Sequence, residues 1–162
     1  MKQNQKILIL DNIRSQHNVG SLFRSGDGVG VDMIYLVGTT PSPIDRFGRP
    51  VKEIEKTALG AEKSIKWEHI DDIVSLLKNL KNEGVEILAL EQDEKSIDYK
   101  NFNFENIKNK SVAIILGNEV DGISKNVLER VDTILEIPMK GEKESLNVSV
   151  AGGIILYRLF DL

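Results

Sequence analysis

The sequence predicts an α/β fold, a mostly parallel sheet with helices on both faces. Short runs of apolar, often β-branched residues alternate with longer segments whose apolar residues recur at helical spacing. Strands that are separated by helices run parallel, and helices then cover both faces of the sheet. The 162 residues contain no internal repeat and no linker, which predicts a single domain over residues 1–162.

Five strands, three helices and one long loop follow from these patterns. The strands are predicted at residues 6–10, 33–37, 85–90, 112–116 and 133–137. The helices are predicted at residues 18–29, starting at Asn18, at 71–83 and at about 147–159. Residues 38–50 contain three prolines and form the longest irregular stretch, and a loop of this length in a compact domain is more often functional than idle.

Composition excludes several classes of protein. Because the chain has no cysteine, it has no disulfide, zinc-thiolate site, iron–sulfur cluster or cysteine nucleophile. No apolar run approaches the length of a membrane span, and residues 1–6 lack the apolar stretch of a signal peptide, so we expect a cytoplasmic protein. The net charge is −4, but residues 1–66 carry 10 basic against 7 acidic side chains. A surface that binds an anionic partner is therefore expected in this first part.

The usual nucleotide-binding turns are missing. A dinucleotide-binding fold has a Gly-rich turn directly after its first strand, whereas here the first glycine after that strand is Gly20. Gly26, Gly28 and Gly30 come at the end of the first helix, where they are interpreted as helix termination and close packing. No Walker sequence is present either. A ligand of this domain must use another part of the sheet.

The first candidate segment is Asn18-Val-Gly20-Ser-Leu-Phe-Arg24. Arg24 would lie about two turns into the helix, where a guanidinium could face a cleft and bind phosphate. The alternative is a surface arginine of an ordinary amphipathic helix.

Two further segments follow strands in the second half of the chain. Gly117-Asn-Glu-Val-Asp-Gly122 places backbone amides and a carboxylate at the carboxyl edge of the sheet, although it could also be a turn into a helix capped by Ser124. Ile137-Pro-Met139 is followed by a polar loop and by Ser145-Leu-Asn-Val-Ser149. Capping accounts for only one of the polar side chains at 145, 147 and 149.

These three segments, in this order and spacing, closely resemble the SpoU/TrmH branch of the SPOUT RNA methyltransferases. The resemblance covers nearly the whole chain and implies S-adenosylmethionine as cofactor and transfer of its methyl group to a ribose 2′-hydroxyl of tRNA or rRNA. It also implies a C-terminal trefoil knot and a homodimer paired through the first and last helices, with each active site across the interface. The chain is expected to be a minimal, catalytic-domain form of the family. The alternative is an RNA-binding or assembly factor of the same fold without catalysis.

The resemblance also assigns residues. The catalytic candidates are Arg24, Asn18, Glu119, Ser145 and Asn147. The cofactor would be held by Ala89, Leu90, Glu91, Leu116, Gly117, Asn118, Gly122, Ile137, Met139 and Leu146. The family assigns proton removal to Arg24, but a guanidinium is essentially never neutral in a protein. We therefore interpret Arg24 as a cation that stabilises the developing 2′-oxyanion.

Candidate RNA contacts lie in the long loop and its flanks: Arg14, Arg46, Arg49, Lys52, Lys56 and Lys63. Acidic residues are interspersed among them, so a solvated mixed-charge surface is the alternative. His69 is interpreted as a surface residue, and His17, beside Asn18, could lie near RNA. The two histidines and scattered carboxylates lack metal-ligand spacing, so no metal is expected.

Overall fold

The computed structural model describes residues 4–160 and contains, within them, seven parallel strands in one sheet. The strands are β1 Lys6–Asp11, β2 Met33–Val37, β3 Lys66–Ile70, β4 Glu86–Leu90, β5 Ile97–Asp98, β6 Val112–Gly117 and β7 Thr133–Glu136. Their order in the sheet is β3-β2-β1-β6-β4-β7-β5. The predicted parallel α/β class is confirmed, and all five predicted strands are present with ends shifted by one residue or less.

The helices are α1 Gln16–Val29, α2 Lys52–Ala58, α3 Ala61–Ser64, α4 Ile73–Asn82, α5 Lys125–Leu128 and α6 Val148–Phe160. A 3-10 turn spans Phe104–Asn106. The packing of the core places α1, α2, α3 and α6 on one face of the sheet and α4 and α5 on the other. Helices therefore cover both faces, as predicted. Residues 1–3, part of the N-terminal segment considered for a signal peptide, lie outside the described residues.

Alternation along the central strands produces the two-sided core. In β1, Leu8 and Leu10 face the α1 side, and Ile7 and Ile9 face the α4 side, and all four are essentially inaccessible to solvent. Full burial of one such side chain contributes about 1.5–3 kcal/mol. The continuous apolar run that predicted β1 is thus a strand covered on both faces.

The start of α1 differs from the prediction. Ser15 has an extended backbone, and its side chain accepts a hydrogen bond from the backbone N–H of Asn18, so Ser15 is the N-cap. Asn18 lies inside the first turn, and its side chain is free to bind elsewhere. Gly30, with φ of 72°, ends the helix by donating its N–H to Gly26 and Asp27.

The last helix packs beside the first. A Cβ on Gly152 of α6 would collide with the side chains of Leu22 and Leu116, so the absence of a side chain allows α6 to approach α1 and β6 closely. At the other ends of the two helices, Gly28 faces the hydroxyl of Tyr157. This packing brings the N-terminal turns of α1 and α6 together. The trefoil knot implied by the resemblance stays a prediction.

Candidate active site

A cleft with a volume of about 480 Å³ opens at the carboxyl edge of the central strands. It is lined by the turns that follow β4 and β6, by the segment after β7 and by the start of α6. Ligands of open α/β sheets bind at this edge, and the volume is within the ordinary range for a small-molecule site. The sequence analysis placed its second segment, residues 117–122, at this edge.

Most of the predicted cofactor residues line this cleft. They are Leu90, Glu91, Leu116, Gly117, Asn118, Gly122, Ile137 and Leu146. Ala89 does not, because it is fully buried in β4 on the α4 side of the sheet. Met139 lies in the loop after β7 and is also outside the lining. Gln92 lines the cleft although it was not predicted, and its Nε2 donates to the carbonyl of Glu144, 2.6 Å away.

The carboxylate of Glu119 connects the turn after β6 to the start of α1. Its Oε2 and Oε1 accept hydrogen bonds of 3.3 Å each from the backbone amides of Arg14 and Ser15. Nδ2 of Asn18 donates to Oε1 over 3.2 Å. Partial desolvation would raise the pKa of the Glu119 carboxyl, but hydrogen bonds from its own amide, from Asn18 and from the amides of Arg14 and Ser15 together lower it. Glu119 is therefore ionised at neutral pH.

Asn18 and Asn147 carry the connection on to the last helix. Nδ2 of Asn147 donates to Oδ1 of Asn18 over 3.3 Å, and Asn18 is only 6% exposed. Oδ1 of Asn147 accepts from the amide of Ser149 at 2.9 Å and from its hydroxyl at 2.6 Å, so Asn147 caps α6. Hydrogen bonds thus join all three sequence segments in the order Glu119, Asn18, Asn147.

The turn after β6 is held closed by the side chain of Asn118. Its Oδ1 accepts from the amides of Val120 and Asp121 at 2.8 and 2.9 Å, and its carbonyl accepts from the amide of Gly122. Gly122 has φ of 67°, and a Cβ there would collide with the carboxylate of Glu91. This carboxylate accepts from the amide of Ile123 at 2.9 Å, so glycine is needed both for the backbone conformation and for the close approach.

Four of the five catalytic candidates meet at this cleft, and Arg24 does not. Glu119, Ser145 and Asn147 line it, and Asn18 is bonded to two of its residues. Arg24 lies six residues beyond Asn18 on α1, about 9 Å along the helix axis, and is exposed. Within residues 4–160, neither a hydrogen bond nor an ion pair involves its guanidinium.

Asn12 is a structural residue that the sequence analysis missed. It has a left-handed backbone, with φ of 54°, and its carbonyl accepts from Nδ2 of Asn118 at 2.8 Å. Its Oδ1 accepts from the amide and the hydroxyl of Thr39, at the start of the long loop. The signal was present, because asparagine tolerates this conformation better than most residues. Beside it, burial raises the pKa of the Asp11 carboxyl, although a hydrogen bond from Asn12 opposes the shift.

The six predicted RNA-contact residues are all exposed and lie on the β1–α1 turn, the long loop, α2 and α3. Arg49 forms an ion pair with Asp45 at 3.0 Å, and Lys63 forms one with Glu55 at 3.3 Å. The loop itself is ordered by internal hydrogen bonds, including a bridge between Ile44 and Pro50.

The remaining polar candidates take no part in the cleft. His17 is exposed on α1, and His69 is also exposed, with its Nε2 2.9 Å from the carbonyl of Gly38. Among the described residues, no group of histidine and acidic side chains could hold a metal ion. None of the helices in this part of the chain has the length and apolar character of a membrane-crossing segment.

Comparison with known proteins identifies relatives that match nearly all of the described residues. The sequence model of the SpoU rRNA Methylase family matches residues 5–157. The chain is similar to the tRNA (guanosine(18)-2′-O)-methyltransferase of Aquifex aeolicus, with 33% identity over 156 residues that make up 96% of this chain and 69% of the relative.

Solved structures of relatives have the same fold. The TrmH/SpoU tRNA modifying enzyme of A. aeolicus superposes with a TM-score of 0.82 at 31% identity, covering 99% of this chain and 76% of that one. An S-adenosylmethionine-bound rRNA methyltransferase from Sinorhizobium meliloti superposes with a TM-score of 0.84 at 26% identity, covering 98% of this chain. The chain spans only 56% of the length of this second structure.

Proposed function

The chain belongs to the SpoU rRNA Methylase family, and we propose that it transfers a methyl group from S-adenosylmethionine to a ribose 2′-hydroxyl of tRNA or rRNA. The observation that carries this proposal is the hydrogen-bonded series Glu119, Asn18, Asn147. It holds the polar residues of three separate sequence segments together at the rim of one cleft. A fold without catalysis would not require these particular side chains to converge.

The cleft fits the cofactor in size and in chemistry. Leu116 and Leu146 would supply apolar contact to the bound cofactor, and Asn118 and Ser145 would supply polar groups. S-adenosylmethionine supplies a methyl group on a sulfonium, which leaves as a neutral thioether. The protein's task is therefore to align the ribose hydroxyl and to stabilise the oxyanion that forms as the hydroxyl proton passes to solvent water, and alignment alone can lower a barrier by about 7 kcal/mol.

Ser145 and Asn147 are best placed to hold the ribose. Both line the cleft, and within residues 4–160 the Ser145 hydroxyl has no hydrogen-bond partner. It can therefore donate to, or accept from, a substrate hydroxyl. Asn147 is kept in one orientation because its amide bonds both Asn18 and Ser149. Glu119 acts behind them as an ionised positioning residue.

Arg24 would reach the reacting hydroxyl from a second copy of the chain. The surface that α1 and α6 share carries the half-exposed apolar side chains of Val150 and Tyr157, and Arg24 is exposed on α1. Pairing of two subunits through this surface buries both apolar side chains. In such a homodimer, Arg24 of one subunit stabilises the developing oxyanion at the other subunit's cleft.

The test is methyl transfer from labelled S-adenosylmethionine to total RNA, followed by nucleoside mass spectrometry. We expect label in 2′-O-methylated nucleosides from the tRNA or rRNA fraction. An Asn147→Ala variant should transfer much less label than the parent. Label found only on bases would contradict the proposal. RNA binding without any transfer would instead identify a non-catalytic RNA-binding or assembly factor.

A further inference from the structure

We propose that the exposed turn 45–49 binds an unpaired base of the substrate RNA, stacked on the ring of Phe47, with the guanidinium groups of Arg46 and Arg49 at the adjoining phosphates. The inference rests on the proposed function, because it names the form of RNA that this enzyme receives. It adds Phe47 to the RNA contacts expected from sequence, and it predicts a loop or single strand instead of a duplex.

The aromatic ring and the two cations lie together at the tip of the long loop. Phe47 is 66% exposed, and the guanidinium carbons of Arg46 and Arg49 lie 4.7 and 4.9 Å from the centre of its ring. A single exposed apolar side chain is common and means little. An exposed ring flanked by two guanidinium groups is different, because aromatic and guanidinium planes both stack on nucleobases and the cations attract phosphate.

The turn is already in a fixed conformation. Oδ1 of Asp45 accepts from the backbone amides of Phe47 and Arg49, at 2.8 and 3.0 Å. The other oxygen, Oδ2, accepts from Nε of Arg49 at 3.0 Å, so that this guanidinium is held in place. Gly48 has φ of 77° and closes the turn. A rigid turn loses little conformational entropy when it binds.

The base of the loop is fastened to the same edge of the sheet as the cleft. The hydroxyl of Thr40, which is buried, donates to the carbonyl of Leu10 at 2.8 Å and accepts from the amide of Ile13 at 3.0 Å. Thr39 bonds Asn12, which in turn bonds Asn118 of the cleft. An RNA held by the turn is thus held by an element in fixed relation to the methyl-transfer site.

An unpaired base is favoured over a duplex on geometric grounds. In A-form RNA the base faces are covered by stacking on their neighbours, and protein contacts are confined to the backbone and the minor groove. An aromatic side chain contributes most to RNA-binding affinity where a base is already unstacked. Phosphate contacts alone would need only the two arginines, and the exposed ring would then have no role in binding.

The experiment compares Phe47→Ala and Phe47→Trp with Leu59→Ala. Leu59 is a matched control because it is 65% exposed at the end of α2 and both of its neighbours in the sequence are uncharged. Dissociation constants are measured for a single-stranded RNA and for a duplex of the same sequence, over a series of salt concentrations. Phe47→Ala should weaken binding of the single strand about 5- to 100-fold with an unchanged salt slope. Phe47→Trp and Leu59→Ala should bind like the parent.

Fluorescence gives a direct readout of stacking. In a Trp67→Phe background, which removes the only native tryptophan, the Phe47→Trp side chain should be quenched by the single strand and not by the duplex. In methyl transfer, Phe47→Ala should raise KM with little change in kcat. Equal losses on single strand and duplex, or no loss on either, would overturn the inference.

Failure of the inference and failure of the proposed function give different results. If the parent methylates ribose but Phe47→Ala leaves KM and RNA affinity unchanged, the proposed base-stacking site is contradicted and the proposed activity is supported. If Phe47 is needed for single-strand binding but no methyl group is transferred, the proposed base-stacking site is supported and the proposed activity is contradicted. The unfolding midpoints of Phe47→Ala and Phe47→Trp should match that of the parent, because Phe47 is exposed.

Discussion

At the scale of single residues, one ionised carboxylate orders the approach to the cleft. Glu119 accepts hydrogen bonds from two backbone amides at the start of α1 and from Asn18. A negative charge at a helix N-terminus is favourable, and hydrogen bonds to charged acceptors are stronger than neutral ones. Because Asn18 also bonds Asn147, the effect of this charge reaches the residue that we expect to hold the ribose.

Replacement of Glu119 by glutamine tests this arrangement. The amide keeps the shape but removes the charge and presents N–H groups toward other donors, so the free energy of unfolding should fall by about 1 kcal/mol. The rate of methyl transfer should fall by more than the lower stability explains, because Asn18 and Asn147 lose their fixed orientation. Denaturant unfolding and single-turnover assays measure the two effects. Glu129→Gln, at an exposed carboxylate on the end of α5, is the control, and equal behaviour of the two variants would be evidence against the arrangement.

The buried carboxyl of Asp11 predicts that the stability of the protein depends on pH. Burial raises the pKa of its carboxyl above the ordinary value of 3.8, with the hydrogen bond from Asn12 opposing the shift. The folded state then binds the proton more readily than the unfolded state, so this group's contribution to stability is present at low pH and is lost as pH rises through the raised pKa. The difference in unfolding free energy between Asp11→Asn and the parent should therefore be more favourable to the variant at pH 7 than at pH 3. Unfolding free energies at the two pH values measure this, and an unchanged difference between variant and parent would contradict it.

At the scale of elements, the turn after β6 depends on a close approach to the end of β4. Gly122 lies against the carboxylate of Glu91, which bonds the amide of Ile123. The sequence motif requires a glycine here for two reasons, the positive φ and the missing side chain. Both strands contribute to the cleft wall, so their turns must fit together before a ligand can bind.

Gly122→Ala separates these two requirements when it is compared with Gly84→Ala. Gly84 also has a positive φ, of 79°, but no atom lies within 4 Å of the Cβ that it would carry. Each variant should cost about 1 kcal/mol of stability for the backbone conformation. Only Gly122→Ala should also displace Glu91 and weaken binding of S-adenosylmethionine, by tenfold or more on calorimetric titration. Equal affinities in the two variants would show that the close approach does not shape the cleft.

At the scale of the whole molecule, the site of one chain lacks its predicted cation. The network joins Glu119, Asn18 and Asn147, while Arg24 faces solvent on α1. The shared surface of α1 and α6 bears the exposed apolar side chains of Val150 and Tyr157. The proposed dimerisation through this surface would account for both features, because it would cover apolar area and bring a guanidinium to each site.

Active-site complementation tests the shared site. Arg24→Ala and Asn147→Ala homodimers should each be nearly inactive, because every site in them lacks one group. After the two are mixed and subunits exchange, a heterodimer contains one site with both groups, so about a quarter of parent activity should return. Sedimentation of the variants serves as the control for dimer formation. No recovery, with exchange verified, would place Arg24 and Asn147 in the same chain's site, and an active homodimer of either variant would place that residue outside catalysis.

Local sequence patterns were enough to predict much of the fold. The strands at β1, β2, β4, β6 and β7 were predicted because apolar runs buried on both faces need no knowledge of their neighbours. The edge strand β3 was missed, since Lys66, Glu68 and His69 are exposed and carry no apolar pattern. The short helices α2 and α3 were missed as well, because each forms against α1 and has too few residues for a periodic signal.

For the candidate site too, some features could be predicted from the sequence and others required the tertiary structure. Motif order and residue type were sufficient to identify the family, and they placed Asn18, Glu119 and Asn147 among the candidates. Their convergence, with 129 residues separating Asn18 from Asn147, arises only when β6 lies beside β1 and α6 packs against α1. The exposure of Arg24 and the ring flanked by guanidinium groups at Phe47 likewise depend on packing and turn geometry. Local sequence determines which groups are available, and long-range packing determines which of them meet.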